Sequence, residues 1–459
     1  MKLLNNAMVY AALIVVIPLS AAAQPSPFDY VTVPYPMHSG RHNGSGDATT
    51  MVFQSVIELP GASWVQVQFG DYQLGRDSYV MLTSLANGDV HWHDAVSLPQ
   101  WHNASGIFRG GRVQLELFVA PGDQDVFVEV ARVIVPDPDI PPALDPPEDI
   151  CGDEDDRVPS TDARVGRLFG GGCTGWLVSN GAALTAGHCG TPDGNIVGMM
   201  EFNVPQSQSN GTPNPALLID QYPINQVIDD ENSGDQGMDY AVYDLNPNNM
   251  TGLTAHEAQG FFRVTLHLPN EGDTVRVTGF GIDNIPPGSG GGPGGNCNGQ
   301  CNSSAFTQQT DIGLYDALDG TAVEHEVDTE PANSGSPIMY QDGSFAFAIH
   351  TDGGCDTIGS EFDNAGTWLA YAPLFNTMVD YIGPNTVMAD WFGALGSVYF
   401  GTVFHPYQTM SEAVAAVPDG WTIAIVTGTY AGPANTFTAG ADGKAMTLTA
   451  HLGPVSIGD

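Results

Sequence analysis

Three short stretches hold side chains able to move protons and form a covalent bond. Leu184-Thr185-Ala186-Gly187-His188-Cys189 sets an imidazole just beyond an apolar strand, Gly175-Trp176-Leu177-Val178. Met238-Asp239-Tyr240-Ala241-Val242-Tyr243 brings a carboxylate into an alternating strand, and Asn333-Ser334-Gly335-Ser336-Pro337-Ile338 offers a hydroxyl in a glycine turn. A serine hydroxyl is a poor nucleophile at neutral pH because it keeps its proton. An imidazole of near-neutral pKa can take that proton and later pass it to a leaving group. A carboxylate can fix the imidazole tautomer and stabilise the cation that forms. Taken singly, a core histidine, a solvated aspartate and a turn serine would be unremarkable. In the order His188, Asp239, Ser334, separated by 51 and 95 residues, they make a base, an orienter and a nucleophile drawn from distant stretches. One barrel would supply base and orienter and another the nucleophile.

The rest of the chain must position them. Of 459 residues, 12 are Lys or Arg and 52 Asp or Glu, a formal net charge of −40. Such a surface repels phosphate backbones and anionic lipid heads, which argues against nucleic-acid or polybasic membrane binding. With 42% hydrophobic residues the chain can bury cores, and 56 Gly with 33 Pro favour strands and loops over long helices. The length predicts two to four domains. Lys2 followed by the apolar run Ala7 to Leu19 and the small residues Ala21-Ala22-Ala23 reads as an export signal over 1–23, too short to span a bilayer. The expected location is therefore secreted, extracellular or periplasmic. No later run is long enough for membrane insertion, and the chain reads as a monomer. Export permits disulfides among Cys151, Cys173, Cys189, Cys297, Cys301 and Cys355. No paired CxxC or HExxH pattern calls for zinc.

Residues 24–135 alternate apolar and polar side chains, as in Ser63–Phe69, Val113–Val119 and Val126–Val130, and predict an antiparallel β-sandwich or jelly roll. Trp64, Trp92 and Trp101 are read as core. His91, His93 and His102 are read as surface histidines and not as metal ligands. Residues 136–150, PDPDIPPALDPPEDI, form an extended linker. Residues 151–383 form a second strand-rich unit, interrupted by the glycine-rich loop Gly288–Gly295 and ending in a helical pattern over Pro373–Ile382. Residues 384–459 carry a short helix at Met410–Val417 and strands at Thr422–Val426 and Met446–Ala450, which resemble the opening coil of secreted parallel β-helix modules. The acidic stretch Asp229–Asp235 lacks a full calcium-loop spacing and is read as a solvated loop, with structural calcium as its alternative. No other cofactor is expected.

At His188, Asp239 and Ser334 the chain resembles the trypsin/chymotrypsin-like serine endopeptidases, and more closely their bacterial glutamyl-endopeptidase branch, over about residues 157–383. Cys173, sixteen residues before Cys189, falls where that family has a bridge beside the histidine. The resemblance implies an all-β, two-barrel protease domain, protein or peptide substrates, and an oxyanion hole built from the backbone N–H groups of Ala332 and Ser334. Two residues depart from the pattern. Ala332 stands where glycine is usual, at a place where an L-residue in a left-handed conformation would cost about 1–2 kcal/mol. Asn333 replaces the aspartate that in the chymotrypsin branch pairs with a newly cut N-terminus, so activation by that salt bridge is not expected here. The resemblance also puts Asp328, Thr329, His350, Thr351 and Gly353 around the substrate. His350 and Thr329 match positions used for an acidic side chain, and Thr351 to Gly353 would pair with substrate backbone as an added strand. Asp328 falls where trypsin keeps a carboxylate that attracts Arg or Lys. Both cannot set the preference. Glutamate is the favoured reading, with Asp328 turned away, and Arg or Lys is the alternative. The remaining cysteines leave several pairings open: Cys151 to the protease body, and Cys297 and Cys301 with each other or with Cys151 and Cys355. A contrasting reading is a secreted binding or adhesion protein that keeps the protease fold as a scaffold.

Overall fold

A computed structural model describes residues 30–137, 150–283, 304–355, 363–393, 399–436 and 444–458, apart from 153–154, 170–171, 191–197, 209–211 and 234. The export signal, most of the proline-rich linker, the loop Gly288–Gly295, Cys297 and Cys301 lie outside the described residues. The fold is mostly β.

The N-terminal region is a sandwich of two four-stranded sheets. One runs in the order Tyr30–His38, Phe127–Pro136, Trp64–Gln73, Ala104–Arg109; the other runs Thr50–Glu58, Arg112–Val119, Tyr79–Ser84, Val90–His93. In Arg112–Val119 every second residue, Val113, Leu115, Leu117 and Val119, is buried, which is the period-2 pattern of a strand with one face on a core. These side chains meet Val65, Val67, Val128 and Val130 of the facing sheet.

The middle region contains two barrels. The first closes six strands in the order Val165–Phe169, Cys173–Leu177, Ala183–Thr185, Asp239–Leu245, Gln221–Asn232, Met199–Glu201. The second runs Phe345–Asp352, Pro337–Tyr340, Thr274–Gly279, Gln309–Asp319, Ala322–His325, Asn364–Trp368, and pairing of the last with the first completes the ring. Helix Ala372–Asp380 buries Leu374 and Met378 against the barrel body, as its apolar spacing requires. Gln221–Asn232 corrects the reading of the acidic stretch as wholly a loop: its first residues are strand. Asp229 accepts the Tyr240 and Thr377 hydroxyls and Glu231 the Tyr371 hydroxyl.

The C-terminal region is a parallel sheet, Thr386–Ala389, Thr422–Tyr430, Thr447–Ile457. Helix Met410–Ala416 packs on it, opened by a reciprocal cap between Thr409 and Glu412. Asp390, 1% exposed, takes two hydrogen bonds from the Arg263 guanidinium at 2.7 and 2.9 Å and so ties this sheet to the barrel region.

The sandwich is bonded directly to the first barrel. The Gln221 side-chain amide pairs with both the N–H and the C=O of Ile107 at 2.8 and 3.0 Å. Arg109 donates twice to the Pro215 carbonyl. Trp64 meets Phe169 edge-on. His91 and His93 are at this junction, fully buried, which corrects their reading as surface residues. His91 bonds Asn249 and takes the Gly106 N–H, and burial pulls its pKa down to about 4. The sequence signal for a buried histidine was missing because the partner surface comes from another domain. Trp64 and Trp101 are core, and Trp92 is half-buried.

Candidate active site

Strand register brings the first two predicted residues together. Ala183–Thr185 pairs with Asp239–Leu245 as Ala183↔Tyr243, Leu184↔Val242 and Thr185↔Ala241. The chain leaving Thr185 turns once through Gly187–Cys189, so His188 faces the start of the neighbouring strand. Asp239 Oδ1 accepts the His188 backbone N–H at 2.9 Å and Oδ2 meets His188 Nδ1 at 2.5 Å. With Nδ1 committed to the carboxylate as an N–H donor, Nε2 is the ring's basic nitrogen. Nε2 is buried and has no hydrogen-bond partner among the described residues. Asp239 is itself held from the second barrel: Thr367 Oγ1 accepts its N–H at 3.0 Å and donates to its carbonyl at 2.7 Å.

Ser334 arrives from the second barrel. Its carbonyl accepts the Thr174 N–H at 2.9 Å, and Gly335 N–H reaches the His350 carbonyl at 2.7 Å. Gly335 has φ +89°, and a Cβ there would come within 2.1 Å of the Thr174 carbonyl and 2.2 Å of Thr185 Oγ1. Only glycine allows this turn to lie so close to the strand that carries His188. Cys173 and Cys189 are joined, and Cys189 Sγ lies 3.9 Å from the Ser334 carbonyl. Base, carboxylate and serine thus share one junction between the barrels.

Ala332 does adopt the left-handed conformation, with φ +81°. Its methyl packs in a small cluster with Ile282, Ala305 and Phe306, contacts a glycine would forgo. The Pro331 carbonyl accepts the Ile282 N–H at 2.9 Å. In a trans peptide the N–H points opposite to the C=O, so the Ala332 N–H is directed away from Ile282. It is one of the two groups assigned to the oxyanion hole.

The residues around the serine divide by role. Asp328 is 4% exposed and its carboxylate is used up inside the fold: Oδ1 accepts the Cys151 N–H at 2.8 Å and Oδ2 the Asp156 N–H at 3.1 Å. Burial pushes its pKa up to about 7, with Asp311 adding to the rise. Thr329 is fully buried and its hydroxyl has no hydrogen-bond partner among the described residues. His350 is 2% exposed, and burial, reinforced by His188, pulls its pKa down to about 3. Behind it lies His325, which the sequence reading missed. The Val327 N–H donates to His325 Nδ1 at 3.2 Å, so His325 carries its proton on Nε2 and donates to His350 Nδ1 at 3.3 Å. His350 is then the tautomer with its N–H on Nε2. The ladder to Pro337–Tyr340 ends at the pair Pro337↔Ile349, so Thr351 and Gly353 run on beyond it. Thr351 donates to Asp352 at 2.6 Å, and burial raises the Asp352 pKa, with Asp239 adding to the rise.

Cys151 pairs with Cys355, resolving one of the alternatives left open by spacing. Of the groups whose geometry could suit a cation, the one formed by Cys173, His188 and Cys189 has its sulfurs in a disulfide, and in the group Asp156, Asp311 and Asp328 the last two already accept backbone N–H groups. Asp316, Glu324 and Asp363 form a third, outward-facing group. No helix among the described residues is long and apolar enough to cross a membrane.

Residues 173–346 match the family model of the trypsin-like peptidase domain. The chain therefore carries a trypsin-like peptidase domain, the domain of a serine endopeptidase. Solved structures with a similar arrangement include a Glu endopeptidase in complex with MPD (16% identity, TM-score 0.34, covering 52% of this chain and 98% of that one). They also include neuropsin, a serine protease of mouse brain (16%, 0.33, 51% and 99%), and the protease Anisep from Arthrobacter nicotinovorans (15%, 0.32, 46% and 92%). No curated protein matches the chain.

Proposed function

We propose that the protein is a secreted serine endopeptidase that cleaves peptide bonds through His188, Asp239 and Ser334, with a preference for glutamate before the cut bond. The observation that carries this reading is the doubly bonded His188–Asp239 pair beside the Ser334 turn. In the first step Ser334 Oγ bonds to the scissile carbonyl carbon while its proton passes to His188 Nε2. The carbonyl π pair moves onto oxygen, facing the N–H groups of Ala332 and Ser334; removing one such donor typically costs about 100–1000-fold in rate. The C–N bond then breaks, His188 gives its proton to the departing amine, and an acyl-serine remains. Water repeats the sequence and restores the hydroxyl. The Asp239 carboxylate faces the imidazolium and balances its charge.

The glutamate preference rests on three supports. The Asp328 carboxylate is committed to backbone N–H groups and does not offer a charge for Arg or Lys. Thr329 brings a buried hydroxyl without a partner, and His350 a neutral N–H donor. A desolvated donor such as the Thr329 hydroxyl rewards a carboxylate and leaves an apolar side chain with an unpaired group. Export is supported by the leader pattern at 1–23 and by the two disulfides.

A fluorophosphonate probe tests the mechanism. Labelling of the wild-type protein that disappears in Ser334→Ala is expected. Folded wild-type protein that takes no label would favour the scaffold reading instead. A peptide-library digest tests the pocket: cleavage after Glu that collapses in His350→Ala is expected, and cleavage after Arg or Lys that is lost in Asp328→Ala would overturn the preference.

A further inference from the structure

The segment that ends the proline-rich linker runs beneath the oxyanion loop, and the mechanism above makes no use of it. Cys151 is bridged to Cys355, and the Cys151 and Asp156 N–H groups are gripped by Asp328. The segment then delivers Arg157, whose side chain is 3% exposed. Its guanidinium donates twice to Asp155, at 2.9 and 2.7 Å, and once to the Ile282 carbonyl at 3.0 Å. A Cβ on Gly281 would lie 2.7 Å from Arg157 Nη1 and 2.3 Å from Asn333 Nδ2. The guanidinium and the residue before the nucleophile therefore pack on the same glycine. Glu330, on the loop itself, and Asp283 are close enough to favour the Arg157 charge.

The position of Ile282 connects this arginine to the chemistry. The Ile282 carbonyl is held by Arg157, and its N–H holds the Pro331 carbonyl at 2.9 Å. Turning the Pro331–Ala332 peptide over would break that second bond and point a carbonyl, not an N–H, at the reacting oxygen. Resistance to such a flip matters here because Ala332 sits at φ +81°, where an L-residue gains nothing from its own backbone preference. Asn333 is neutral, so it supplies no ion pair to lock the loop. A buried cation bonded to Ile282 and surrounded by Asp155, Glu330 and Asp283 supplies the missing anchor.

We propose that Arg157 is a positioning residue for catalysis: through Ile282 it holds the Pro331–Ala332 peptide with its N–H toward the developing oxyanion. This rests on the protease reading above and adds the device that keeps that site assembled. The interaction it protects is made in the transition state more than in the ground state, so its loss falls on kcat and not on KM.

The test is steady-state kinetics of the full-length protein on a Glu-containing peptide substrate, with inhibition by a matching peptidyl boronate. Arg157→Met is expected to lower kcat about 100-fold, in line with the loss of one oxyanion donor, with KM within about 2-fold. Boronate affinity should fall in step with kcat, and active-site titration should still count nearly all molecules as folded. Arg157→Lys, which keeps the charge, should recover part of the loss. Arg157→Gln, which keeps one donor without charge, carries the same test should the methionine protein not fold, with an expected kcat loss of at least about 10-fold. Variants with wild-type kcat, or with kcat and KM worsening together while boronate affinity holds, overturn the inference. A wild-type protein inert to peptides and to fluorophosphonate overturns the protease reading itself, which separates the two failures.

Discussion

The two halves of the proposed catalytic junction are held by different means. The His188 turn stands on sheet register: an antiparallel pair fixes Thr185 opposite Ala241, and one turn later the imidazole meets Asp239. The loop from Asp328 to Gly335 has no ladder beneath most of its length. It hangs from Ile282, from the Thr174 N–H and hydroxyl, and from a linker segment far away in sequence. Sheet register is cooperative and resists single changes, because slipping one pair moves every side chain on the strand. A loop held by separate contacts is only as well placed as each of them. The difference teaches where the site is robust, at base and carboxylate, and where it is tunable, at oxyanion hole and pocket.

The largest effect should come from the robust half, because its geometry survives a change in chemistry. Asp239→Asn keeps an oxygen for the His188 N–H but turns the other acceptor into a donor. His188 is then driven to carry its proton on Nε2, where it cannot take one from Ser334. A loss of about 10⁴-fold in kcat is expected, with little change in melting temperature. Peptide hydrolysis and a thermal melt on the same preparation check it. A loss below 10-fold would mean that the carboxylate is not orienting the base.

Legibility followed the same division. His188, Asp239 and Ser334 each lie in a compact motif, so type and spacing were enough to single them out as candidates. The alternating strands of the sandwich were legible for a related reason: a half-buried strand writes its burial into every second residue, whereas barrel strands such as Val165–Phe169 and Cys173–Leu177 are buried at every position and carry no such period. Arg157 and His325 had no such signature. Each is a single residue made important by a neighbour more than twenty positions away, Ile282 or His350. His91 and His93 were misplaced on the surface because a domain junction leaves no period in either partner. Asp328 could be read two ways from its position, and only the backbone N–H groups of Cys151 and Asp156 reveal which way its carboxylate is turned.

A medium effect is expected in the pocket half, in stability rather than rate. Asp328 is buried and its pKa stands near 7, raised mainly by burial, against about 3.9 for an unperturbed carboxyl. Between those values the folded protein holds more protons than the unfolded chain. Stability from this group is therefore full below about pH 4 and is lost as pH rises toward 7, with a slope no steeper than about 1.4 kcal/mol per pH unit. Asp328→Asn removes the titration, so the difference in urea midpoint between wild type and variant should move in the variant's favour from pH 4 to pH 7. A pH-independent difference would show that Asp328 does not titrate in that window. The contrast with Asp239 is direct: one carboxylate faces an imidazole and a backbone N–H, the other is buried against two more acids, Asp156 and Asp311.

The smallest effect should come at Ala332. Glycine there relieves a left-handed L-residue worth about 1–2 kcal/mol. It also gives up a methyl buried against Ile282, Ala305 and Phe306, about 0.8 kcal/mol, and frees the unfolded chain by a further 0.5–1 kcal/mol or so. These terms nearly cancel. Ala332→Gly is expected to shift the melting temperature by less than about 4 °C and kcat by less than about 10-fold. If outside contacts hold the loop, its own backbone preference matters little, and the near-silence of this change is what that arrangement requires. A large gain in kcat would instead show that the alanine strains the loop out of its working shape and that the anchors beneath it are insufficient.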